Sequence, residues 1–266
     1  MYKINNNPIR MNFSRGAHNK IYWKCLHVIC SCFDAMSLSE KDSKTRWGML
    51  GFIKCFAMLI PNKTWSLWMQ EFIKMSDNTK MEVLKNEKLK VYYSMNDPEI
   101  LENYIIDSKS TNALEWSWAL HEYINYKRRL NGEQILSMSF VDLQEKYNPK
   151  YVTKDFWGRP TWFVLHTFSL HLEPFNDTTK TVWKAFISSL QFVLPCPICR
   201  EHVKENMKKI KVDDYMSSPS KVFEWTWRLH NTVNLSKTYK SSAITIQEAK
   251  DIYLNSNDDT LMMIFL

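Results

Sequence analysis

Cys196-Pro-Ile-Cys199 is the arrangement in this chain best suited to chemistry. Two thiols separated by two residues can meet on the first turn of a helix and close a disulfide. Pro195 ends any preceding helix, because the residue before a proline is driven out of the α region. A new helix starting at the cysteines would set them at the positive end of its dipole, which favours thiolate over thiol. Glu201 and Glu205 early, with Lys208, Lys209 and Lys211 late, agree with that polarity. The chemistry implied is that of a reactive, reducible dithiol. Two other chemistries use the same spacing. One is half of a zinc site completed by His202 and His230. The other is a thioredoxin-type motif, which needs a preceding strand and a βαβ setting that the chain lacks.

The elements that must position this pair are helices. Only five glycines occur in 266 residues, and Met-, Leu- and Trp-rich segments of helical period fill most of the chain. The expected fold class is all-α. Hydrophobic residues at 45% supply a packed core and exclude a disordered chain. The formal charge of +7 has no continuous basic stripe or nucleic-acid motif with it, so it reads as a solvated surface. Met1–Lys20 is polar, without the apolar core of a secretion signal, and no apolar run nears the roughly 20 residues of a membrane helix. The expectation is a soluble protein made in the cytosol.

The chain also reads twice. Tyr22–His27 resembles Thr161–His166, and Phe52–Trp68 resembles Phe186–His202. Glu115–His121 (EWSWALH) resembles Glu224–His230 (EWTWRLH), and Ser139–Tyr147 resembles Thr245–Tyr253. Four blocks recur in the same order, which chance similarity between helices does not produce. In the second half the period predicts helices over Thr161–His171 and Thr181–Leu194, then one from the cysteines onward. Ser218-Pro219 opens another through Val233, and Thr245-x-x-Glu248 is a capping box for a last short one. The first half follows the same plan, with a polar insertion near Asp77–Ile100. The halves divide near Asn148-Pro149.

Three motifs in the second half occur in a fixed order: Trp157-Gly158-Arg159-Pro160-Thr161-Trp162-x-x-Leu165-His166, then Pro195-Cys196-x-x-Cys199-x-x-His202, then Trp227-x-x-His230-Asn231-x-Val233-Asn234. Together they resemble the Erv/ALR sulfhydryl oxidase family over roughly residues 155–254. The resemblance implies a helical bundle holding FAD beside the CxxC. It implies an enzyme that oxidises dithiols in protein substrates, passing electrons through the disulfide to FAD and then to O2, with H2O2 as product. By the same resemblance Cys199 is the flavin-proximal cysteine and Cys196 the outer one that exchanges with substrate. Trp162, His166 and His202 surround the cofactor, and Trp227, His230, Asn231, Val233 and Asn234 belong to the segment gripping its nucleotide part. Gly158, Arg159 and Pro160 form the turn that opens the site. A basic residue after the last motif is supplied by Lys237 or Lys240, between which spacing does not choose. The resemblance assigns no metal. Leu194 and Trp227 depart from the family's usual aromatic and structural cysteine, leaving stability to packing alone.

In the first half Asn62 and Trp65 stand where the cysteines would be, Trp68 replaces His202 and Glu122 replaces Asn231. That half reads as a degenerate Erv copy, without the dithiol. The expected organisation is a tail over 1–20, a degenerate domain over 21–148, a catalytic FAD-binding domain over 149–254 and a C-terminal tail over 255–266. The two bundles, of four to five helices each, are expected to pack as an intrachain pseudo-dimer, leaving a homodimer of pseudo-dimers open. This combination looks like an oxidase of a large DNA virus, of baculovirus type, acting in the host cytoplasm or virion, with dithiol proteins as partners and no nucleic acid or membrane span. Cys30 and Cys32 would be the shuttle pair of such an enzyme, but a CxC on a helix is poorly shaped for a bond, so buried inert thiols are expected. The competing class is a non-catalytic helical scaffold.

Overall fold

A computed structural model describes residues 16–75, 113–235, 244–256 and 258–265. Eleven α-helices and no strand occur among them. The insertion near 77–100 and both Lys237 and Lys240 lie outside the described residues. The first half contributes α1 (Gly16–Asp34), α2 (Ser43–Leu59), α3 (Lys63–Lys74), α4 (Ala113–Leu130) and α5 (Phe140–Lys146). After a 3-10 turn at Pro149–Tyr151 come α6 (Lys154–Leu170), α7 (Asp177–Val193), α8 (Pro197–Lys209), α9 (Pro219–Leu235) and α10 (Ile246–Lys250). A final helix, α11, spans Asp258–Phe265.

Local chemistry sets these boundaries. Asp42, Asn62, Ser139, Thr153, Asn176 and Thr245 each cap a helix by accepting from the backbone N–H three residues on, satisfying a donor that the helix leaves orphaned. The capping box at Thr245 and Glu248 is complete. Ser218 accepts from the Lys221 N–H at 3.3 Å, and Pro219 opens α9 as expected. Gly132, at φ +85°, closes α4 in the left-handed conformation that only glycine takes without strain, letting the Glu133 N–H reach Arg128 O at 3.1 Å.

Three boundaries differ from the sequence reading. Gly158, Arg159 and Pro160 do not form a turn but lie inside α6, which begins at Lys154. Burial of Trp157 and Pro160 with Phe163 and Val164 extends the apolar face backwards, and that outweighs the hydrogen bond lost at proline. α1 starts at Gly16, inside the stretch expected as a tail over 1–20, and buries Ala17 and His18. The expected C-terminal tail is a docked helix: α11 packs on α1 and α6 and buries Leu261 completely.

One continuous core joins the helices. α1 packs on α4 and α6, α2 on α3 and α7, α7 on α8, and α6 on α9. The broadest of these pairings is α2 with α7, which brings Phe52 and Phe186 together at 5.4 Å between ring centroids. Both rings are fully buried, each contributing roughly 2 kcal/mol by removal from water. Gly48 lets the two helices approach, since a Cβ there would fall 2.6 Å from Phe192 Cβ. Phe192 lies in the last turn of α7, just ahead of the CxxC, so this close packing holds the reactive segment in place.

Candidate functional site

Cys196 and Cys199 are joined as a disulfide, their Cα atoms 5.1 Å apart. Cys196 is the N-cap of α8, its sulfur accepting from the Cys199 N–H at 3.3 Å. The first half preserves this cap with another atom: Asn62 Oδ1 accepts from the Trp65 N–H at 3.0 Å. Sulfurs bonded to each other are not thiolate ligands. Among the described residues no group of three His, Cys, Asp or Glu side chains converges as a metal site.

Cys199 forms part of the wall of a cavity of about 280 Å³ between α6, α7, α8 and α9. Apolar walls come from Leu165, Leu190, Leu194, Val203, Leu229 and Val233. Gly158, Arg159, Trp162, His202 and His230 also line it, so with Cys199 and Val233 seven of the fourteen residues expected at the cofactor converge here. Trp162 and His230 stack at 4.0 Å with 8° between their planes, offering a flat aromatic surface. Pro160 is buried in α6, and His166 is fully buried behind the stack. Trp227 and Asn231 instead face a separate groove, with Lys209, Tyr215, Arg228 and Ile244. There the Trp227 indole N–H donates to Ile244 O at 2.8 Å, and Asn231 Nδ2 donates to the same carbonyl at 3.2 Å. These bonds tie α9 to the start of α10 without a covalent link. Asn234 is half-buried on the next turn of α9.

A buried hydrogen-bond relay fixes the stack. The Thr226 hydroxyl donates to Phe223 O at 2.8 Å, so its lone pair accepts from His166 Nδ1–H, also at 2.8 Å. Burial, with His230 beside it, holds the His166 imidazole well below its usual pKa and hence neutral. His166 Nε2 is therefore an acceptor, and His230 Nδ1–H donates to it at 3.1 Å. Tyr253 closes the back of the relay, its ring 4.4 Å from that of His166. Neither Thr226 nor Tyr253 was singled out from the sequence. Both were detectable there, because each repeats: a hydroxyl stands third in both EWSW and EWTW, and tyrosine ends both copies of the fourth block.

The first half reproduces the relay. Ser117 donates to Leu114 O at 2.8 Å and meets His27 Nδ1 at 2.9 Å, and His27 Nε2 meets His121 Nδ1 at 3.0 Å. His121 stacks on Trp23 at 3.9 Å. The difference lies in front of the stack, where Trp65 occupies the position of Cys199. Trp65 is buried, with its ring 5.9 Å from Trp23. A small side chain in the second half thus leaves a slot that an indole fills in the first. An apolar slot with a stacked aromatic floor and a sulfur in its wall suits a flat heteroaromatic ring such as a flavin's.

The remaining cysteines are built differently. Cys25, Cys30 and Cys55 are buried and Cys32 is half-buried, all as free thiols. Burial pushes Cys25 up to about 12 and both Cys32 and Cys55 up to about 11, so they stay protonated and inert.

Among the described residues, fold and site together define an all-helical protein with a disulfide against a slot floored by stacked aromatic rings. Residues 159–251 match the model of the Erv1 / Alr family. Similar proteins include a probable FAD-linked sulfhydryl oxidase of Acanthamoeba polyphaga mimivirus, 33% identical over 81 residues, covering 29% of this chain and 56% of that protein. An FAD-linked sulfhydryl oxidase of Arabidopsis thaliana is 33% identical over 87 residues, covering 32% of this chain and 44% of its own length. A putative FAD-linked sulfhydryl oxidase of Invertebrate iridescent virus 3 is 29% identical over 82 residues, covering 29% of this chain and 53% of that protein. The chain spans about half the length of the curated relatives it matches. No solved structure matches it. Among the described residues no helix is long and apolar enough to cross a membrane.

Proposed function

We propose that this protein is an FAD-dependent thiol oxidase that forms disulfides in dithiol-containing proteins and delivers the electrons to O2, giving H2O2. The observation that carries the reading is the disulfide whose Cys199 lines a slot floored by the Trp162–His230 stack. Trp162, His202, His230, Val233 and the Leu side chains of the cavity would hold the flavin ring. Trp227, Asn231, Asn234 and Lys237 or Lys240 would serve its nucleotide part. Bound flavin supplies a two-electron acceptor next to the cysteines.

Cys199 lines the slot and Cys196 does not, which supports reading Cys199 as the flavin-proximal cysteine and Cys196 as the outer one. A substrate thiolate attacks the Cys196 sulfur, forming a mixed disulfide and releasing Cys199 as thiolate at the slot wall. The second substrate thiolate attacks the substrate sulfur of that bond. The substrate leaves as a disulfide, and two electrons remain on the Cys196/Cys199 pair. The dipole of α8 favours the thiolate that this sequence needs.

The first half is read as the partner bundle of an intrachain pseudo-dimer, with α1 on α6 and α2 on α7 as its internal contacts. Repeat-equivalent Phe52 and Phe186 facing each other supports that arrangement. Two viral proteins among the relatives support a role in a virus-infected cell, in host cytoplasm or virion.

The test is the visible absorption spectrum of the purified protein with dithiothreitol-dependent oxygen uptake. The expected result is about one flavin per chain and turnover that Cys199→Ser abolishes while flavin is retained. A colourless protein, or normal turnover in that variant, refutes the reading.

A further inference from the structure

We propose that Glu40 and Met36, in the loop between α1 and α2, position Arg200 beside the redox disulfide, and that the guanidinium so held promotes ionisation of Cys196 in the reduced pair. This rests on the reading of Cys196 and Cys199 as the redox centre. It gives the degenerate half a part in the chemistry beyond packing.

Arg200 follows Cys199 directly, and its N–H closes the first turn of α8 on Cys196 O at 3.0 Å. Residues 196 and 200 are thus one helical turn apart, and side chains at that spacing share a face of the helix. The side chain is only 12% exposed, turned out of solvent against the first half. There Nη2 donates to Glu40 Oε1 at 3.3 Å, and Nη1 points at Met36 Sδ at 3.9 Å. The receiving loop is itself braced. Glu40 Oε2 accepts from the Ser37 N–H at 3.1 Å and the Ser37 hydroxyl at 2.9 Å. Lys41 Nζ donates to Asp34 O at 2.7 Å, and Arg46 Nε donates to Lys41 O at 2.6 Å.

The clamp does not recur in the half without a disulfide. Ser66 stands at the repeat position of Arg200 and turns inward, donating to Ala57 O at 2.7 Å. A cation is thus held one helical turn from Cys196, whereas the repeat position of Arg200 in the first half carries an uncharged serine. A positive charge at such range favours thiolate over thiol, and Glu40 offsets part of it. The other ionisable groups around the pair are Lys154, Asp155 and Arg159 of α6, His230 of α9, and Glu201 and His202 of α8. They are unchanged in the variants below.

Two substitutions must then act in opposite directions. Glu40→Gln removes the counter-charge and leaves the guanidinium, whereas Arg200→Gln removes the cation and leaves a carboxylate. The flavin-loaded full chain is reduced, alkylated with iodoacetamide across the neutral pH range, and the Cys196 adduct followed by mass spectrometry. The thiols at 25, 30 and 55 are buried and that at 32 half-buried, and burial holds all four protonated, so they do not compete. Glu40→Gln is expected to lower the Cys196 pKa by about half a unit, a roughly threefold faster alkylation below it. Arg200→Gln is expected to raise it by about as much, and Arg200→Lys to restore most of the parent value. A merely structural clamp would move both glutamine variants the same way, as lost stability does. Shifts of equal sign, or none, overturn the proposal. Failure of the underlying reading is distinct and appears in the parent: no flavin, and no dithiol-dependent oxygen uptake.

Discussion

Replacing Thr226 by Val tests whether the buried relay holds the ligand slot open or merely fills space. Valine is close to threonine in shape, so packing is preserved and only the hydroxyl is lost. That hydroxyl accepts from His166 Nδ1 at 2.8 Å, and His166 is fully buried. No water can replace the partner, so an N–H is left unpaired at about 1–3 kcal/mol. For a chain of this size a loss near 2 kcal/mol lowers the melting temperature by about 4–8 °C. Ser117→Ala removes the matching hydroxyl from the first-half relay and should cost about the same. Flavin content separates the two variants. Thr226→Val frees His166, and through it His230 and the Trp162 stack, so flavin per chain after gel filtration should fall. Ser117→Ala should keep its flavin, because Trp65 fills the equivalent slot. Thermal unfolding by circular dichroism and flavin absorbance per chain read both effects, with Thr226→Ser as the variant expected to restore them. Equal flavin loss in Ser117→Ala and Thr226→Val, or an unchanged melting temperature in the latter, would refute the reasoning.

Other predictions concern the frame around the site. Gly48→Ala is expected to destabilise by about 1–2 kcal/mol in urea unfolding, since its new methyl meets Phe192 Cβ rather than a movable side-chain end. Gly51→Ala, on the same helix with nothing within 4 Å, should instead stabilise by up to about 1 kcal/mol through helix propensity. Burial depresses His27, His121, His166 and His171, taking His121 down to about 3. The unfolded chain binds more protons than the folded one once pH drops below the ordinary imidazole value of about 6.5. The stability due to these neutral histidines is therefore full above that pH and lost as pH falls toward the folded values. Urea midpoints should decline from neutral to mildly acid solution, and a flat profile would contradict the burial.

Much of this protein was legible in its residues. The all-helical fold follows from period, capping residues and scarce glycine, which are local properties that agree with one another along most of the chain. The CxxC at a helix start and the capping box at Thr245 followed from motifs whose spacing matches one helical turn. The repeat also pointed to a first half without its dithiol. Errors fell where a local signal met a distant one. Gly158-Arg159-Pro160 reads as a turn by composition, yet burial of Trp157 and Pro160 in the core carries the helix through it.

The sequence by itself determined the Cys196–Cys199 pair, its place at the positive end of α8 and the loss of that pair in the other copy, because each depends on neighbours along the chain. Only the tertiary structure decided what surrounds the pair. Trp227 and Asn231 turn away from the ring slot because adjacent residues on α9 face different sides of the helix. Thr226 and Tyr253 converge on His166 from helices far apart in sequence. Arg200 meets Glu40 across 160 positions, a contact that exists only because α2 packs on α7 and carries the first-half loop to the redox turn.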